Sequence, residues 1–320
     1  MKKSLHLIIL LSPFALFAQD EALNHGKALL EKEDYAGAEV FFKEFVTKDQ
    51  TNDQAYYYLA RSAYFSENYD DAEKNLKKAI ELNNDNADYF LLLGNVYLQR
   101  LQNSSFFEKG ILSGKVLDNY KKAVKTDPEN IEARLSLASY YINAPSIGGG
   151  SASKAREQIE IIRKDHPEQA LMLMAQVYIQ EENYDLAIEE FHKYLHGHPD
   201  DTHALYQLGM LYQGMKNYED ATLTFERALE KDPGDHASLY QVGRTAIFWG
   251  DNIDRGIEAL TTYINSDPGP GNPSLDAAHW RLGMLYEMRG NLETARHEYA
   301  LALEMVPDEE KYKKALDALK

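Results

Sequence analysis

Histidine is the residue type in this sequence with the most evident chemical potential. His192, His196, His198, His203 and His236 make up five of its ten histidines. His192 and His196 are four apart, so a helix places them on one face, and His198, Asp200 and Asp201 follow at once. Imidazoles at i and i+4 can grip zinc, copper or nickel. That face is polar and solvated, and no third ligand is fixed by the spacing. The three histidines are therefore a weak metal candidate, and the sequence predicts no resident metal and no cofactor. There is no cysteine, which removes disulfides, cysteine-based zinc sites, iron–sulfur clusters and thiol nucleophiles. Neither a Gly-x-Ser-x-Gly elbow nor a His-Glu-x-x-His pair occurs. Acidic pairs such as Glu181-Glu182 and Glu189-Glu190 are ordinary on helical surfaces, and acid–base work needs a pocket that shifts their pKa. Gly148-Gly149-Gly150-Ser151 lacks both the lysine and the preceding strand of a phosphate loop. The expectation is a protein that is not an enzyme.

Charge narrows the partners. The chain of 320 residues carries 51 Asp+Glu against 34 Lys+Arg, a formal charge of −17. So acidic a surface argues against nucleic acid or an anionic membrane, whose binding needs clustered Lys and Arg. At 44% hydrophobic and 27% charged the composition is that of a folded chain. Met1-Lys2-Lys3, the apolar run through Leu16 and the small residue Ala18 form a secretory signal pattern over residues 1–18, with cleavage after Ala18. The expectation is an exported protein, periplasmic if the cell has two membranes. No later stretch approaches ~20 apolar residues, so no membrane span is expected in the mature form.

The elements that must position any site repeat. Asn68-Tyr69-Asp70-Asp71-Ala72, Asn183-Tyr184-Asp185-Leu186-Ala187 and Asn217-Tyr218-Glu219-Asp220-Ala221 are copies of one pattern. Each falls twelve residues after a small residue, and that register extends through Gly26, Ala60, Gly94, Ala138, Ala175, Gly209, Gly243 and Gly283. The spacings are 34, 34, 44, 37, 34, 34 and 40, so about eight units are expected, three with insertions. Each unit reads as two amphipathic helices. In the sixth, Ala204, Leu205, Leu208, Leu211 and Tyr212 recur at helical spacing, then Ala221, Phe225, Ala228 and Leu229, before Asp232-Pro233-Gly234 stops the second helix. The small residue sits where the two helices meet, and a larger one would push their axes apart.

These units resemble the tetratricopeptide repeat (TPR). Leu208-Gly209, Tyr212, Ala221, Phe225, Ala228 and Pro233 match its pattern, and Leu282-Gly283, Tyr286, Ala295, Tyr299, Ala302 and Pro307 nearly do. Pro128, Pro167, Pro199, Pro233, Pro268 and Pro307 share one phase, whereas Gln50 and Asn84 replace the proline in the first two units. The resemblance implies an all-α, right-handed α-solenoid over residues 19–307, closed by a C-terminal capping helix over 308–320. It places a peptide groove on the first helix of each unit, at positions three before and one and four or five after the small residue. That gives Tyr57, Arg61, Tyr64 and Phe65; Met172, Gln176 and Gln180; Tyr206, Met210 and Gln213; Tyr240, Arg244 and Phe248; and Trp280, Met284 and Met288. Tyr, Trp, Met and Arg are enriched in protein-binding surfaces; the alternative is that many of these pack between neighbouring first helices. Leu23, Lys27 and Tyr58 do not supply the clamp with which some TPR grooves hold a C-terminal carboxylate.

The expected function is a non-enzymatic exported scaffold that binds a polypeptide segment in the groove, serving envelope assembly or secretion. The alternative is a binding protein for a small ligand or divalent metal. The polar C-terminal helix and the net charge favour a monomer. Insertions near 101–115, 144–151 and 268–275 are a second candidate surface. For Phe106 and Phe107 the stronger expectation is that they fold back onto the array. Asp267-Pro268-Gly269-Pro270-Gly271-Asn272-Pro273 reads as a stiff exposed linker and the candidate joint between subdomains.

Overall fold

The structure is a computed structural model that describes residues 23–102 and 104–319; the signal-like segment of residues 1–18 lies outside them. Among the described residues there is no strand. The chain divides into two units, Met1–Glu181 and Glu182–Lys320.

In the first unit, α1 covers residues 23–31. It is followed by α2 (Tyr35–Lys48), α3 (Asp53–Phe65), α4 (Tyr69–Leu82), α5 (Ala87–Gln102), α6 (Phe106–Thr126), α7 (Ile131–Asn143), a 3-10 turn at Ser146–Gly148, α8 (Ala152–Asp165) and α9 (Pro167–Gln180). The second holds α10 (Tyr184–Gly197), α11 (Thr202–Gly214), α12 (Tyr218–Lys231), α13 (His236–Trp249), α14 (Ile253–Asn265), α15 (Leu275–Met288), α16 (Leu292–Met305) and α17 (Glu310–Ala318). Within each unit successive helices pack as antiparallel neighbours, as short connections require.

Local chemistry explains why the helices start and stop where they do. Asn52, Asn130 and Asp201 cap α3, α7 and α11, their side-chain oxygens accepting from the N–H of Ala55, Ala133 and Ala204. Several turns between paired helices use left-handed residues. Glu33, Glu67 and Lys216 take this conformation at φ of 59°, 60° and 62°, Gly250 and Asn252 both take it between α13 and α14, and Gly290 takes it between α15 and α16. Ala221, Phe225, Ala228 and Leu229 form the buried stripe of α12.

The small residues bring the two helices of a hairpin together. A Cβ on Gly209 would lie 2.6 Å from the Phe225 ring, and one on Gly283 would lie 2.6 Å from Tyr299. Both aromatics are buried. Tyrosine hydroxyls then tie one repeat to the next. Tyr89 donates to Asp53 at 2.7 Å in the first unit, and Tyr312 to Asp276 at 2.6 Å in the second. Tyr312, on α17, is 1% exposed and lies against Trp280 of α15.

Two expectations fail in this architecture. The division falls after Glu181 and not at 267–273. That loop is tethered inside the second unit: Pro268 is buried, Tyr263 donates to the Pro273 carbonyl, and the Asn272 amide donates to the Pro268 carbonyl at 2.5 Å. Proline and glycine made it look like a linker, but a buried phenol needs an acceptor and pins it. Phe106 and Phe107 do not fold back. They are 83% and 85% exposed at the start of α6, with Ile111 64% exposed one turn on.

Candidate functional site

The residues assigned to the groove divide by burial. In the first unit Phe65 is exposed and Tyr57, Arg61 and Tyr64 are half-buried on α3. Met172 and Gln176 are half-buried on α9, and Gln180 is exposed. In the second, Tyr206 and Met210 are half-buried on α11, Arg244 is half-buried and Phe248 exposed on α13, and Trp280 and Met284 are half-buried on α15 with Met288 exposed.

Tyr240 and Gln213 do not line a surface. Tyr240 is 5% exposed, with its ring centroid 5.3 Å from that of Tyr263. Gln213 is buried in a polar cluster between α11 and α13. Its amide donates to Thr245 Oγ1 at 2.7 Å, and Thr245 donates to the Gln241 carbonyl at 2.7 Å. Gln213 is claimed by packing between neighbouring first helices, where buried polar groups must find partners, and Tyr240 by packing against α14, the second helix of its own hairpin.

The accessible members form cation–aromatic clusters. The Arg61 guanidinium lies 5.9 Å from the Tyr57 ring and 6.0 Å from both Tyr58 and Phe65. Arg244 sits 5.1 Å from Phe248. Arg281 lies 5.1 Å from Tyr240 and 5.2 Å from Trp280, whose ring also meets Lys311 at 5.3 Å. Such contacts hold arginine upright while leaving donors free for a ligand. Burial pushes the Tyr57 phenol up to about 12, with Arg61 pulling the other way. Arg281 and Lys311 were not singled out from sequence. They lie one residue after a predicted groove position and on the capping helix, where only the fold brings them to Trp280.

The histidines are engaged elsewhere. His192 Nε2 is 3.3 Å from the Tyr212 hydroxyl, and the His198 ring stacks on Tyr194 at 4.6 Å. Asp201 accepts from Tyr194 at 2.7 Å while capping α11. Burial would raise its carboxyl, but those hydrogen bonds outweigh it and hold the group below its ordinary range. Among the described residues no group of three or more His, Cys, Asp or Glu could hold a metal.

A cavity of about 440 Å³ opens in the first unit between α5, α6 and α7. Leu98, Leu101, Leu135 and Ala144 give it apolar walls, with Asn95, Ser136 and Ser139 among the polar groups. The Tyr120 hydroxyl donates to Asn95 Oδ1 at 2.7 Å and fixes that amide.

Against known proteins, two tetratricopeptide repeat models match this chain, one over residues 29–96 and 178–242, the other over 147–202 and 250–310. The chain belongs to the tetratricopeptide repeat family, and its fold is the all-α solenoid of that family. A TPR repeat-containing protein of Methanocaldococcus jannaschii is 28% identical over 121 residues, which is 38% of this chain and 19% of that protein. The chain thus spans about a fifth of the length of this curated relative. Among solved structures, the APC/C hetero-tetramer Cut9–Hcn1 matches with TM-score 0.52 at 15% identity, over 93% of this chain and 55% of that one. A tetratricopeptide repeat protein of Parabacteroides merdae matches with TM-score 0.51 at 19% identity, over 87% of this chain and 98% of that one. At these identities the two structures speak to fold alone. No helix among the described residues is long and apolar enough to cross a membrane.

Proposed function

We propose that this protein is a non-catalytic interaction scaffold that is exported and binds a polypeptide segment along the first helices of its repeats, in the service of envelope assembly or secretion. Tetratricopeptide repeats are protein-interaction modules, which supports the general class. The observation that carries the reading is the set of arginine–aromatic clusters on α3, α13 and α15. Phe65, Phe248 and Met288 are 44%, 48% and 44% exposed beside them. Exposed aromatic and Met side chains next to held arginines are the composition of binding hot spots. The signal pattern of residues 1–18 supports export, and the acidic charge supports a protein partner over nucleic acid. A monomer is the matching assembly.

The test is affinity capture from the native cell envelope, using the protein and a Phe65→Ala/Phe248→Ala/Met288→Ala variant. These three positions are exposed, so the variant keeps its fold, whereas Tyr240→Ala would open a cavity in the core. A partner held by the protein and lost from the folded variant is the expected result. A partner held equally by both would refute the assignment of the binding face.

A further inference from the structure

Two of the segments that break the 34-residue period meet in space. The Tyr140 hydroxyl donates between the carbonyl oxygens of Ser113 and Gly148, at 2.9 and 2.8 Å, and so ties the lengthened α6 to the glycine loop. Gly149 sits at φ 96°, and a Cβ on Gly150 would lie 1.7 Å from the Ala144 carbonyl oxygen. Only glycine lets the loop fold back so closely. Ala144 and Pro145 from that loop, with Ser113 from α6, complete the wall of the 440 Å³ cavity. Most of its lining falls in residues 97–146, outside the ranges that match the repeat models.

We propose that this cavity is a specificity pocket that takes the apolar side chains of an extended partner segment flanked by lysine or arginine. The proposal rests on the segment-binding reading above, and it names where in the first unit such a segment anchors and what it must carry. Size is the first argument. A ~150 Å³ apolar cavity already holds benzene, so this one accepts two or three side chains of that bulk, and it lies within the ~300–1,000 Å³ range of ligand pockets. Charge is the second. Among the described residues the lining contains no Lys, Arg or His, and Glu132 is its one charged residue. A phosphate or carboxylate ligand would meet a like charge with no cation to hold it, whereas a flanking cation meets Glu132. Hydrogen bonding is the third. Asn95 Oδ1 is taken by Tyr120, and its amide nitrogen, with the Ser136 and Ser139 hydroxyls, suits the neutral peptide groups between anchors.

The experiment is methyl NMR on the full chain with three probes: the capped peptide acetyl-Gly-Lys-Leu-Leu-Lys-Gly-amide, its counterpart with Glu in place of Lys, and indole. The lysine peptide should shift the methyls of Leu98, Leu101 and Leu135 saturably. Ser136→Leu, which fills the cavity from a half-buried helix position, should weaken that binding at least tenfold, while Ser136→Ala keeps it. Glu132→Gln should abolish the preference for the lysine peptide over the glutamate one. Unmoved pocket methyls overturn the proposal, as does binding indifferent to Ser136→Leu. Indole shifting these methyls where neither peptide does would make the site a small-molecule pocket and equally overturn it. A peptide that shifts the methyl of the exposed groove residue Met288 but not the pocket methyls would leave the segment-binding reading standing and this proposal refuted.

Discussion

Gly209→Ala probes whether close approach of the paired helices is what the small residue provides. An alanine Cβ would lie 2.6, 2.8 and 2.9 Å from three atoms of the Phe225 ring, well inside ordinary contact. Phe225 is 0% exposed, so the ring cannot swing into solvent and must press on its neighbours. Overpacking of this kind costs about 1–3 kcal/mol. It is opposed by about 1 kcal/mol of helix propensity gained on replacing glycine with alanine. The net effect of the single substitution therefore spans about 0–2 kcal/mol and mixes two causes, whereas its coupling to residue 225 isolates the steric one. In a Phe225→Ala background the overlap is gone and only the propensity gain remains, so Gly209→Ala becomes stabilising. The double-mutant cycle should give a coupling of ~1–3 kcal/mol. Because repeat arrays depart from two-state unfolding, the assay is native-state hydrogen exchange at the most protected amides of α11 and α12. A coupling below ~0.5 kcal/mol, the range expected of independent sites, would refute the steric account of the glycine.

Three further outcomes follow from the same structure. Phe106→Ser/Phe107→Ser should leave stability within ~0.5 kcal/mol, since both rings are over 80% exposed, while lowering binding of a hydrophobic dye; a large loss of stability would show that they are packed after all. Gly150→Ala should unseat the glycine loop, because its Cβ collides with the Ala144 carbonyl, and increased proteolytic cleavage near residue 148 with unchanged helix content by circular dichroism would report it. Burial pushes the Tyr57 and Tyr263 phenols from 10.0 up to about 12, and Tyr89, Tyr97, Tyr120, Tyr299 and Tyr312 higher still. A raised phenol pKa favours the neutral folded form, so this stability is complete below pH 10 and is lost as pH rises toward 12. An ultraviolet titration should show a class of phenols that ionises only as helical signal is lost; free ionisation of all tyrosines before unfolding would contradict it.

The helices were legible because their signals are local and repeated. Period, capping asparagines and small residues recur in register, and each copy confirms the others. The turn geometry was less legible, since nothing in Glu67 or Lys216 announces a left-handed residue; the hairpin imposes it. The loop at 267–273 misled for a related reason. Its composition described flexibility, and only the buried Tyr263 hydroxyl, ten residues away from its acceptor at Pro273, decided otherwise.

Site residues were harder, because periodicity says which face of a helix points inward but not how much of it a neighbour covers. Tyr240 and Phe248 have equivalent claims from spacing, yet one is held against Tyr263 and the other is half exposed. The cavity lay further out of reach. Helices α5 and α7 supply most of its walls, but two insertions some thirty residues apart close it, and each alone reads as a tolerated loop. What joins them is a single phenol, Tyr140, bonded to both. Where the chain follows its repeat, sequence fixes packing and leaves the surface generic. Where it departs from the repeat twice and the departures touch, the array gains a feature that its period does not supply, and a distinguishing ligand is best sought there.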